Sequence, residues 1–132
     1  MKLFIKQLLR EEIESMPKKA IVQKFIEFVI DNLGIDGEVK VELTTNKDGI
    51  RTSAVYNNNS ELSRVYIKNR AIVDICRSIA HELVHHKQNQ RGDLKDNPTT
   101  GDDGSPEENE ANSKAGELIR IFGRQNPEIY ET

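Results

Sequence analysis

Hydrophobic and polar positions along the chain fall into blocks of helical and extended period. Residues 3–15 place Leu3, Phe4, Leu8, Leu9 and Ile13 at roughly helical spacing, which predicts a first helix. Pro17 then opens a second helical pattern through Ile21, Phe25, Phe28, Val29 and Leu33, closed by Gly34 at the place of a C-capping glycine. Beyond it the period falls to two: Val39, Val41 and Leu43 alternate with Lys40 and Glu42, as in a half-buried strand. After a turn at 46–49, the β-rich runs 50–56 and 62–68 flank Asn57-Asn58-Asn59-Ser60 and predict a hairpin. Residues 70–90 return to the helical period, with Ile72, Val73, Ile75, Cys76, Ile79, Ala80, Leu83 and Val84 on one apolar arc and Asp74, Ser78, His81 and His85 opposite. A polar stretch leads to Ser105-Pro106, an N-cap followed by a proline suited to the first helical position. The final helix, 105–124, carries Ala111, Ala115, Leu118, Ile119 and Phe122 on its apolar side, and Gly123 is expected to end it. The predicted fold is α+β: two N-terminal helices (1–34), a three-stranded antiparallel or mixed sheet (38–68), a long helix (70–90), an acidic loop (91–104) and a last helix (105–124).

Composition narrows the classes. A length of 132 residues fits one domain with one modest core. The single cysteine, Cys76, has no partner for an internal disulfide, which suits a reducing compartment, and cytoplasmic location is the expectation. Lys6 and Arg10 interrupt the N-terminal apolar run before it reaches the length of a secretory h-region, and no run approaches a membrane span. The net charge of −3 argues against a general nucleic-acid binder. That acidity is local: residues 91–110 sum to −5 and the remainder to +2.

All three histidines lie at 81, 85 and 86, and His81-Glu82-Leu83-Val84-His85 is an H-E-x-x-H sequence on a helix. Residues i and i+4 lie about 40° apart around a helix and one turn along it, so two imidazoles can share one metal ion. Glu82 lies too far round the helix to join them, but it can hold a water at the metal and take its proton. The plain alternative is a pair of surface histidines on an amphipathic helix. A catalytic zinc site needs a third protein ligand, and His2Glu is a standard set. On the last helix Glu108 projects about 60° from Ala111, between Ala115 and Ile119, so it faces the core-directed stripe and needs a partner there. Zinc is one such partner. Ser105-x-x-Glu108 is also a capping box, in which Glu108 would only bond back to the Ser105 backbone. Glu107 is the fallback ligand, and Glu110 points off the stripe.

His81-Glu82-x-x-His85 followed by Glu108-x-x-Ala111-Asn112 resembles the gluzincin zinc metallopeptidases, especially the ImmA/IrrE-like branch, over residues 70–122. The resemblance implies a small zincin-like domain with His81, His85 and Glu108 as zinc ligands, Glu82 as general base and Asn112 orienting a ligand. His86 matches the HExxHH form common in that branch. The stretch 81–88 and the small size also resemble proteins of tailed bacteriophages. No DNA-binding segment of the kind some of those regulators carry is visible.

The expected activity is therefore hydrolysis of a peptide or protein substrate, with Zn2+ as cofactor, no nucleic-acid or membrane partner, and no sequence signal for an oligomeric state. The alternative is a zinc-stabilised regulatory or interaction module without hydrolysis, and a metal-free helical adaptor is a third reading. Strand 62–68, which precedes the metal helix, is the expected edge for substrate pairing. Tyr56, Tyr66 and Tyr130 are the candidates for oxyanion stabilisation. His86, about 140° from His81, and Cys76 are expected to pack in the core. Asp74 and Ser78 either support the histidines or are solvated, and residues 126–132 either fray or fold over the cleft.

Overall fold

A computed structural model describes residues 2–5, 19–94 and 105–131. The elements run β1 (Lys2–Ile5), α1 (Lys19–Leu33), β2 (Glu38–Thr44), β3 (Ala54–Asn57), β4 (Leu62–Tyr66), α2 (Ile72–Gln90) and α3 (Pro106–Gln125), with a 3-10 turn at Pro127–Tyr130. The α+β class is as expected, but the sheet has four strands in the order β1-β2-β4-β3. The helix expected from residue 3 is corrected at its start. Lys2–Ile5 is instead a strand, pairing in parallel with β2 from Lys2↔Glu38 to Ile5↔Val41. Four mixed residues satisfy either period, and the open side of β2 decides between them. The rest of that expected helix, and positions 95–104 of the acidic loop, lie outside the described residues.

Strand β2 is central, parallel to both β1 and β4, and its Val39, Val41 and Leu43 are wholly buried or nearly so. Across β2 and β4, Glu42 faces Arg64, whose Nε donates to Glu42 Oε2 at 2.8 Å. Strand β3 closes the other side antiparallel to β4, and the hairpin between them is turned by Asn57, whose Oδ1 accepts from the amides of Asn59 and Ser60 at 2.9 and 3.1 Å. The expected edge strand 62–68 is thus interior, and β3 is the edge on that side of the sheet. A hairpin places its first strand outermost whenever its second strand finds another partner, here β2.

Helix α1 ends as its sequence predicts. Gly34 adopts φ 64°, its amide donates to Asp31 O at 3.3 Å, and Ile35 N donates to Ile30 O at 3.1 Å, so a Schellman motif folds buried Ile35 back onto buried Ile30. Helix α2 packs on α1, β3 and β4 through Ile75, Cys76, Ile79 and Leu83, all buried, and α3 packs along α2. At its C-terminal end α3 is fixed by Phe122, whose ring meets Phe25 edge-on at 5.1 Å and Phe28 at 5.3 Å. Gly123 does not end α3, which continues to Gln125. A Cβ at 123 would lie 2.6 Å from Tyr130 Cε2, so the missing side chain serves close packing. Residues 126–131 neither fray nor cover the cleft: Ile129 is fully buried, and Asn126 accepts from Lys24 Nζ at 2.8 Å. No helix among the described residues is long and apolar enough to cross a membrane.

Candidate metal centre

The site forms where the polar face of α2 meets the first turn of α3. One turn apart on α2, His81 and His85 bring their Nε2 atoms to 3.2 Å, with ring planes 82° apart. Ser105 caps α3, its Oγ accepting from Glu108 N at 3.1 Å. The backbone half of the capping box is therefore used, but the Glu108 side chain goes elsewhere. Its Oε1 lies 2.7 Å from His81 Nε2 and its Oε2 3.1 Å from His85 Nε2. His81, His85 and Glu108 are close enough together to hold a metal ion. Ligands about 2.0–2.1 Å from a tetrahedral ion stand roughly 3.3 Å apart, so these separations and this nitrogen and carboxylate donor set fit one.

Burial tunes the groups. The His81 imidazole is held below the ordinary histidine value, mainly by burial and against the pull of Glu108, which favours the neutral, metal-binding ring. Glu82, on the same turn as His81, is 6% exposed. Burial, reinforced by the Glu108 carboxylate, pushes its carboxyl up to about 8. A carboxyl that titrates near neutrality can accept and return a proton.

Glu82, His81 and Glu108 open into a cleft of about 460 Å3. Its wall from the sheet is Thr52, Ser53 and Ala54, at the start of edge strand β3; its floor is Arg70, just ahead of α2, with Asp74, Arg77 and Ser78 of α2; α3 adds Asn112. Asn112 also lies against His81, the position that the family resemblance implied for a ligand-orienting group. Tyr56, Tyr66 and Tyr130 do not line the cleft. Tyr56 Oη instead meets His86 Nδ1 at 2.8 Å, Tyr66 sits under Lys47 Nζ, and Tyr130 packs at Gly123. Besides Asn112 and Ser78, the cleft's donors include Arg70 and Arg77, which the sequence could not single out before β3 was placed.

His86 is buried on the sheet side, as its projection predicts, and buried Cys76 has its thiol pushed up to about 12. Ser78 meets Arg70 at 2.8 Å and Ser53 at 3.3 Å, and Asp74 meets Arg77 at 3.4 Å, so their hydrogen bonds run away from the histidines. The group that does meet a histidine is Gln88, unnoticed in the sequence: fully buried, it brings Oε1 to 2.7 Å from His85 Nδ1. Its signal was present in its spacing, i+3 from His85 and i+7 from His81.

In comparison with known proteins, no family model, curated protein or solved structure matches the chain.

Proposed function

We propose that the protein is a zinc metallopeptidase of gluzincin type, acting on a peptide or protein substrate. The observation that carries the reading is the convergence of both HExxH histidines and a glutamate from a separate helix, with buried Glu82 opening into the same cleft. Two imidazoles and one carboxylate form the usual donor set of catalytic zinc and leave a fourth position open. Bound there, the ion would supply Lewis acidity to a substrate carbonyl and make a water easier to ionise.

The chain's own residues do the rest. Glu82 accepts a proton from the attacking water and returns it to the leaving amine, which its raised pKa suits. The outer edge of β3 bounds the cleft and offers backbone groups to an extended substrate, which would pair as a further strand. Arg77 lies one turn before His81 on the same helix and is the cleft's more exposed cation, placed to meet negative charge developing on the substrate.

The test is elemental analysis of protein purified without an affinity tag, followed by hydrolysis of a mixed peptide library. About one zinc per chain and Glu82-dependent cleavage are expected. If Glu82→Gln keeps its zinc and no cleavage is found in either protein, the centre is that of a zinc-stabilised interaction module. A chain that neither contains nor binds zinc refutes both readings.

A further inference from the structure

We propose that Gln88 is a positioning residue that fixes the tautomer of His85, keeping the proton on Nδ1 and presenting Nε2 bare to the metal. The inference rests on the metal centre above but is carried by a separate set of hydrogen bonds. Gln88 is fully buried between α2 and α3. Its Nε2 donates to the Glu107 backbone carbonyl at 2.9 Å and to Glu110 Oε1 at 2.8 Å. Both of those atoms can only accept: one is a carbonyl oxygen, and the other belongs to a carboxylate that Arg91 Nη2 also grips at 2.7 Å.

These two acceptors determine which way the amide faces. Turned over, it would set its oxygen against a carbonyl and a carboxylate and lose both bonds. With the nitrogen held on α3, Oε1 is the atom left at 2.7 Å from His85 Nδ1. A carbonyl oxygen accepts and cannot donate, so Nδ1 must carry the hydrogen. A neutral imidazole has one N–H, and the other nitrogen, Nε2, is then a lone pair. That lone pair points toward His81 Nε2 at 3.2 Å and Glu108 Oε2 at 3.1 Å. Lone pairs brought together in this way are reconciled by a cation between them. A histidine that ligates through one nitrogen commonly donates from the other, which sets the ring's orientation and raises its basicity. Here the partner comes from the same helix, but its orientation is dictated by α3, so the docking that delivers Glu108 also prepares His85.

The direct test is long-range proton–nitrogen NMR of the metal-stripped wild-type protein at alkaline pH, where free imidazole is neutral. The His85 Nδ1 is expected to report as protonated and Nε2 as bare. The same spectrum of Gln88→Met, close in size but without the amide, should show His85 shifted toward the Nε2–H form. Zinc affinity, measured by competition with a chromophoric chelator, should fall roughly tenfold to a hundredfold in Gln88→Met. A purely structural Gln88 would lower the melting temperature and leave tautomer and affinity unchanged. The proposal is overturned if wild-type His85 carries its proton on Nε2, or if folded Gln88→Met keeps the wild-type tautomer or binds zinc within about twofold of wild type. Should Gln88→Met not fold, the wild-type spectrum still decides. Failure of the wild-type protein to bind zinc would instead refute the metal centre, whatever the tautomer.

Discussion

A carboxyl buried as deeply as Glu82 is a burden on the fold wherever it must ionise, and the size of that burden follows from its shift. Its carboxyl rises from 4.5 to about 8 on folding, so between those values the native state binds more protons than the unfolded chain. The contribution to stability is therefore complete below the unfolded pKa and is lost progressively as pH rises through the folded pKa. At pH 7 about 2.5 of the 3.5 units have been traversed, and at about 1.4 kcal/mol per unit this costs the apoprotein about 3 kcal/mol. Glu82→Gln keeps the shape and cannot ionise. In chelator-treated protein it should be more stable than wild type by up to about 3 kcal/mol at pH 7, or roughly 10 °C in Tm for a domain of this size, and nearly equal to it at pH 4.5. His81 and His86 are held below the ordinary histidine value, so each contributes a slope of opposite sign on the acid side. Both proteins share them, and the difference cancels them. The assay is urea unfolding followed by circular dichroism at several pH values with excess chelator, then with zinc restored, when a cation facing Glu82 should narrow the gap. Parallel pH profiles for the two proteins, or a less stable variant at pH 7, would refute the reasoning.

Other substitutions address the ligand and its support. Glu108→Ala should abolish tight zinc binding in a chelator competition while leaving the far-ultraviolet spectrum intact, since Glu108 lies in the first turn of α3 and is only one of its anchors. Ser105→Ala should cost about 1 kcal/mol of stability in urea unfolding through loss of the bond to Glu108 N. Its zinc affinity should fall as well, and an unchanged affinity would show that the cap does not help place the carboxylate. Phe122→Ala removes a 1% exposed ring from contact with Phe25 and Phe28 and should cost roughly 3–5 kcal/mol, read in the same way. Adding zinc at about a hundred times its Kd to stripped wild-type protein should raise stability by about 2.7 kcal/mol, a gain absent in Glu108→Ala.

The parts legible in the sequence are those governed by neighbours along the chain. The Gly34 cap, the Ser105-Pro106 start of α3, the strand alternation of β2 and the common face of His81 and His85 all follow from local geometry. Glu108 was readable because a carboxylate on an apolar stripe implies a partner, and the stripe is itself a local pattern. What escaped depends on contacts between distant segments. Residues 2–5 carry no period long enough to mark a strand and become one by pairing with β2. The identity of the edge strand turns on whether β2 pairs with β3 or β4, a choice that hydrophobic alternation does not encode. Spacing puts Gln88 on the histidine face, but only the two acceptors supplied by α3 orient its amide.

The two ends of α3 are held by different means, and that asymmetry has a kinetic consequence. Twenty residues of helix span about 30 Å. The C-terminal end is clamped by Phe25, Phe28, Phe122 and Ile129, whereas the N-terminal turn leans on the Ser105 cap, the Gln88 bonds and Glu108's attachment to α2. Local opening should therefore start from the N-terminal turn and stop short of the aromatic clamp. In hydrogen exchange, amides near 120 should be released only with the whole domain, while those at 109–112 should exchange through a smaller opening that zinc suppresses. Ion occupancy would then be recorded as a gradient of exchange rates along a single helix.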